Sequence, residues 1–276
     1  MEMDVKVLGP FAADLDGRSI VPSAPKPRQL LTLLALRRSS IVTHETLIDE
    51  LWGDRVPSSA PTTIQTYVMK LRKIIDSTGE KTSGKGVLVT RSGGYSLDIA
   101  GNAWSIDLEI FRHHSQEGTL AFNRGDFERA SDQLELALNT WSGPAFQDVR
   151  KGEVLAIEAV RVEAERVAAL EQKINADIML NNLPAAIAEL QALIRTDPLN
   201  ENFCALYMLA AYRSGCAAQS ISAFHNLKDQ LATELGIDPG PICQNLFSAV
   251  LQRSEELDSF NHVIHWAPRA SLVSTM

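Results

Sequence analysis

The sequence holds little that would support covalent or metal chemistry. Its three cysteines are Cys204, Cys216 and Cys243. The number is odd, no two form a CxxC pair and all fall in helical-looking stretches, so packed thiols are expected rather than a disulfide or zinc site. The six histidines form no HExxH signature, and neither a Gly-x-Ser-x-Gly elbow nor a convergent acid pair occurs. No enzyme, cofactor or metal site is therefore expected. One decoy, Gly79 to Gly86 (GEKTSGKG), matches a phosphate-loop spacing, but Gly86 stands where a Ser or Thr should bind magnesium. Nowhere do about eighteen apolar residues run together as a membrane helix needs. Glu2 and Asp4 open the chain with no apolar run behind them, so no secretory leader and a cytoplasmic location are expected.

What is present is an uneven charge. The 276 residues suffice for two domains of ordinary size, and the net charge of -8 argues against a nucleic-acid binder when taken whole. Residues 1-100 carry thirteen Lys or Arg against eleven Asp or Glu, and the remainder thirteen against twenty-three. From Lys26 to Arg91 there are eleven cations and six acids. A basic block joined to an acidic one implies two jobs, and a polyanion would be sought on the basic one.

In the basic block, alternation at Val5 and Val7, a turn at Asp16-Gly17 and a return over Ser19-Ile20-Val21 predict a small antiparallel sheet. A helix follows over Arg28 to Arg37. Lys26 and Arg28 at its start oppose the macrodipole, a cost that a nearby phosphate would offset or solvent would absorb. Thr43 caps a second helix through Trp52. The third, Ala60 to Ile75 (APTTIQTYVMKLRKII), carries a buried stripe of Ile64, Val68, Leu71 and Ile75. Thr62, Thr66, Met69, Lys70 and Lys73 lie opposite it, with Thr63, Gln65 and Arg72 on the flanks. Hydroxyls and amides followed by lysines suit a helix in a DNA major groove, although a solvated face has much the same composition. Strands at Val87-Leu88-Val89 and Tyr95 to Ile99 enclose Arg91-Ser92-Gly93-Gly94. Three helices and a hairpin with a basic glycine tip make a winged helix, whose Arg91 would reach a phosphate or minor groove.

The segment LWGDRVPSSAPTTIQTYVMKLRKII followed by GGYSL resembles the DNA-binding half of the Streptomyces antibiotic regulatory proteins, a winged helix of the response-regulator output type. The resemblance implies that Ala60 to Ile75 is the recognition helix and Arg91 to Gly94 the wing tip, with Thr62, Thr63, Gln65, Thr66, Lys70 and Lys73 as DNA contacts. Met69 departs from the small polar residue expected there. Arg72, Ser92, Gly93, Lys26 and Arg28 complete the candidate DNA-binding set.

After Gly101-Asn102, read as a linker, almost everything is helical. Helices are predicted over Trp104 to Arg124, Asp126 to Thr140, Glu153 to Leu180, Pro184 to Arg195, Glu201 to Ser214, Ala217 to Leu235 and Pro241 to Glu256. The breaks at Asn181 and Gly215 lie one tetratricopeptide period apart, and Gly125 opens a similar turn, which predicts stacked helix pairs. Ala211 to Pro241, Asp107 before Phe111, and ALNTWSG from Ala137 to Gly143 resemble the bacterial transcriptional activation domain of the same regulators. The fold class expected is mainly α: a winged helix over 1-100, a tetratricopeptide-like solenoid over 103-257, and a partly disordered tail over 258-276. No sensor, ATPase or receiver domain is read in the sequence, so the short two-domain form is expected. The resemblance implies an activator of an antibiotic or other secondary-metabolite gene cluster. It would bind double-stranded DNA at direct repeats, as a homodimer or as side-by-side copies, and recruit RNA polymerase holoenzyme. The rival reading is a tetratricopeptide scaffold whose first domain docks protein.

Overall fold

A computed structural model describes residues 2–38, 40–79, 83–99 and 104–257. The predicted tail 258-276 and the linker Gly101-Asn102 lie outside them. By packing the chain divides into two compact units, one of residues 1–114 with 136–166 and one of residues 115–135 with 167–276.

The first unit opens with β1 (Met3–Lys6), β2 (Ala12–Leu15) and β3 (Arg18–Ser19). Asp16 and Gly17 both hold positive φ, 49° and 75°, which suits the tight primed turn joining antiparallel strands. Three helices follow: α1 (Pro25–Leu36), α2 (His44–Trp52) and α3 (Ala60–Asp76), with the short strand β4 (Val42–Thr43) before α2. Helix α1 starts three residues earlier than predicted, because proline at its first position has the right φ and no N–H to satisfy. Thr43 caps α2 as expected, its hydroxyl accepting from the Thr46 N–H at 3.1 Å. One helical turn, α4 (Gly84–Val87), leads into the wing strands β5 (Leu88–Arg91) and β6 (Gly94–Leu97). Val87 was predicted to begin the strand; instead it closes that turn, anchored where Asp76 accepts the Gly84 N–H at 2.7 Å. The wing sheet has the order β4-β6-β5.

The strongest departure from expectation lies at Trp104, predicted to begin a helix. Trp104–Ile106 is strand β7, parallel to β1 with Met3 opposite Trp104, and the first sheet runs β3-β2-β1-β7. Trp and Ile favour a pleated, half-buried surface, and β1 offers an open edge. Helix α5 (Asp107–Asn123) begins only after it. The Asp107 carboxylate, held above its ordinary range by burial against the opposing pull of its hydrogen bonds, accepts the N–H groups of Val7 and Leu8 at 2.9 Å. The segment after α6 (Phe127–Leu138) returns to the same sheet end, where Ser142 and Phe146 donate backbone N–H groups to Leu8 and Val7 at 2.8 Å. Asp148 accepts the Phe11 N–H at 2.6 Å. Residues beyond the predicted linker are thus integral to the first unit's core.

The second unit is helical. It contains the C-terminal half of α7 (Glu153–Met179), from Val167 on, with α8 (Leu183–Thr196), α9 (Glu201–Arg213), α10 (Ala217–Glu234) and α11 (Pro241–Gln252), then a 3-10 turn at Glu255–Leu257. Predicted and observed helices agree within a few residues. The turns within successive helix pairs fall at Gly125, Asn181 and Gly215, with φ of 80°, 62° and 82°, left-handed values that glycine and asparagine tolerate best. Helix α9 is buried from Phe203 through Ala211 without a break, which an apolar sequence on all sides of the helix requires. The core around it draws Ile174 and Ile178 from α7, Leu190 from α8, Phe224 and Leu227 from α10, and Leu246 from α11.

Candidate nucleic-acid interface

Helix α3 is fixed by its stripe. Ala60, Ile64, Val68, Leu71 and Ile75 are at most 1% exposed, and the residues between them decide what the other side offers. Thr62, Gln65, Thr66, Met69, Lys70 and Lys73 are exposed, while Thr63 is half-buried. Lys70 and Lys73 have no ion-pair partner among the described residues. The Thr66 hydroxyl donates to the Thr62 carbonyl at 3.0 Å and that of Thr63 to Ser59 at 2.8 Å. Their protons are thereby committed to the helix. The hydroxyl oxygens remain acceptors, suited to the exocyclic amino groups of adenine or cytosine.

Arg72 is placed differently. Its Nε and Nη2 donate to the Leu88 carbonyl at 3.0 and 2.7 Å, and Nη2 also to the Thr90 hydroxyl at 2.8 Å. The guanidinium ties α3 to the first wing strand instead of standing free for phosphate. Gly84 completes this joint, since a Cβ there would lie 2.4 Å from the Arg72 carbonyl oxygen.

At the wing, Ser92 and Gly93 form an exposed tip, Gly93 at φ 84°. Arg91 turns back from it, pairing with Asp98 and donating to the Ser96 hydroxyl at 3.3 Å. The two glycines have separate reasons. Gly93 supplies the turn and accepts the His44 N–H at 2.9 Å. Gly94 lets β6 approach β4, where a Cβ would sit 2.1 Å from the Val42 carbonyl. The space beside this glycine is thus filled by the protein's own strand.

Lys26 and Arg28 do not join the α3 face. The Lys26 ammonium lies 4.4 Å over the Trp52 ring, and desolvation, then the neighbouring Arg150, hold it below the ordinary lysine range. Arg28 pairs with Asp148 at 2.6 Å and donates to the Pro22 carbonyl at 3.3 Å. Both are engaged by groups of the protein at the start of α1.

Glu50 was absent from the candidate set. It is 2% exposed on α2 and accepts N–H groups from Gly152 at 2.7 Å, Val154 at 2.9 Å and Leu155 at 3.1 Å, with the Gln29 side-chain amide at 2.8 Å. One carboxylate thus caps the N-terminus of α7 from within the winged helix. A Cβ on Gly152 would lie 2.0 Å from the Glu50 carbonyl. The signal was present in the sequence, because an acid between Leu47 and Leu51 lies on the apolar side of its helix.

Comparison with known proteins fits both halves. Residues 17–97 match the family described as transcriptional regulatory protein, C terminal, and residues 106–251 match the bacterial transcriptional activator domain. The regulatory protein DnrI of Streptomyces peucetius is 38% identical over 259 residues, which cover 93% of this chain and 94% of that protein. The regulatory protein AfsR of Streptomyces coelicolor is 36% identical over 91% of this chain, which spans only 24% of that longer protein. A solved structure of Mycobacterium tuberculosis EmbR, in complex with a low affinity phosphopeptide, superposes with a TM-score of 0.82 at 34% identity, covering 91% of this chain and 65% of that one. Among the described residues no helix is long and apolar enough to cross a membrane. A winged helix followed by this helical domain, matched by DnrI over 93% of the chain, establishes that the chain belongs to the Streptomyces antibiotic regulatory protein family of transcriptional regulators.

Proposed function

We propose that this regulator inserts the exposed face of α3 into a DNA major groove at promoter direct repeats and recruits RNA polymerase holoenzyme to a secondary-metabolite gene cluster. The observation that carries the reading is the α3 face itself, where Lys70 and Lys73, without an ion-pair partner among the described residues, follow Thr62, Gln65 and Thr66 on a helix whose other side is buried. Lysines at the ridges take phosphates, while the amide and hydroxyls between them read base edges. The wing tip at Ser92 and Gly93 crosses to the neighbouring backbone, with Arg91 released from Asp98 if it takes part. Copies bind side by side, one on each repeat, and the acidic helical domain supplies the protein contacts. Lys26, Arg28 and Arg72 leave the contact set, since their partners lie within the protein.

The test is equilibrium binding of the full chain to the promoter region of the cluster that encodes it, followed across salt. Each phosphate neutralised should steepen log K against log salt by roughly 0.9. Sequence-selective binding with a steep slope is expected. Binding that is salt-insensitive, or equal on any duplex, would overturn the reading and favour a protein-docking role for the first domain.

A further inference from the structure

We propose that Met69 is a specificity-determining residue that reads the C5-methyl group of a thymine. The inference rests on the DNA-binding reading above and adds to it a base identity. Met69 is 59% exposed, more than Ile41 at 50% or Val56 at 48%, the other exposed large apolar side chains between residues 2 and 99. It stands outside the buried stripe of Ile64, Val68, Leu71 and Ile75, through which α3 meets the core.

Its neighbours on the helix surface show what it would face. Met69 lies one turn after Gln65, one turn before Lys73 and three residues after Thr66. It is the tenth of seventeen residues in α3, near the middle of the helix, where a rod lying along a groove comes closest to its floor. The flanking groups divide the labour: Lys70 and Lys73 suit phosphate, while Gln65 and the Thr66 oxygen suit hydrogen-bonding edges. A thioether carries no charge, donates no hydrogen bond and accepts only weakly. The one apolar feature at the base edges of the major groove is the thymine methyl, so an apolar side chain aimed there selects T·A over the other pairs. Methionine is unbranched and polarizable, which lets it settle on a methyl whose position it does not fix.

The experiment removes the methyl group alone. In the promoter fragment bound by the full chain, each thymine of the protected segment is replaced singly by uracil, which leaves pairing unchanged. Affinity is measured for the natural protein and for Met69→Ala, an exposed substitution that leaves the stripe intact. At one thymine per half-site, the natural protein should bind the uracil duplex about fourfold more weakly, the equivalent of the ~0.8 kcal/mol of one buried methyl. Met69→Ala should bind the two duplexes equally. Selective binding by the natural protein with no uracil costing more than about twofold overturns the assignment, as does a penalty that survives in Met69→Ala. If the full chain binds no DNA selectively, the reading beneath the proposal fails and the proposal goes with it.

Discussion

Replacing Arg72 by alanine separates a DNA contact from a strut. The natural guanidinium makes three hydrogen bonds to β5, at 2.7 to 3.0 Å, from a half-buried side chain. Charge-assisted bonds contribute about 1.5–3 kcal/mol each when well buried. Two of these share one acceptor and the Thr90 end is exposed, so the set is worth about 1–2 kcal/mol in all. Thermal unfolding of Arg72→Ala should accordingly fall by several degrees. In DNA binding the loss reaches the duplex only through a wing that is no longer held at its distance from α3. The assay is a double-mutant cycle in fluorescence anisotropy with Arg72→Ala, Ser92→Ala combined with Arg91→Ala at the wing, and all three together. The Arg72 penalty, about tenfold in the natural background, should largely vanish once the wing contacts are gone, a coupling of ~1 kcal/mol or more. Additive penalties, with a salt slope shallower by about 0.9 for Arg72→Ala in both backgrounds, would refute the reasoning and return Arg72 to the phosphate contacts.

Other substitutions probe the remaining parts. Lys70→Ala and Lys73→Ala should each flatten the salt slope by about 0.9 without changing sequence preference, measured by titration at several salt concentrations; an unchanged slope removes that lysine from the contacts. Glu50→Ala leaves the amides of Gly152, Val154 and Leu155 without their acceptor and should cost about 3 kcal/mol in urea unfolding; a loss under 1 kcal/mol would mean water replaces the carboxylate at no cost. Gly152→Ala should be of similar severity, because the added Cβ meets backbone at 2.0 Å and nothing flexible is there to yield. Arg28→Ala should lose under about 1 kcal/mol, its ion pair with Asp148 being part-exposed, and should leave the salt slope untouched.

Local features of this chain were legible and distant ones were not. Periodicity located α3 and α7 because their apolar residues recur at helical spacing, and Thr43, Asp16-Gly17 and Asn181 announced themselves through the cap and turn chemistry each supplies. Strand β7 escaped because its partner lies about a hundred residues away in β1, and three residues show too little alternation to outweigh the helix that follows. The candidate interface divided the same way. A helical wheel places Lys70 and Lys73 outward, but it cannot say that the carbonyl of Leu88 waits beside Arg72 or that Asp148 waits beside Arg28. Long cations are read as free until the fold supplies an acceptor. Glu50 is the converse, an acid whose position on an apolar face was visible while the helix end it caps was not. Nor does the sequence reveal that β7, Asp107 and Asp148, from beyond the predicted linker at Gly101-Asn102, pack with the first unit. A fragment ending there would strand the N–H groups of Val7, Leu8 and Phe11, so binding measurements belong on the full chain.

The central claim, that the outward face of α3 enters the groove, is tested most directly by placing a DNA-cleaving reagent on it. Thr66→Cys supplies the attachment point in a Cys216→Ser background, because Cys216 is exposed while Cys204 and Cys243 are buried. The account predicts strand cleavage centred inside the segment that the full chain protects on its promoter, once in each repeat. Cleavage confined to the flanks of that segment, or none while the labelled protein remains bound, would contradict it.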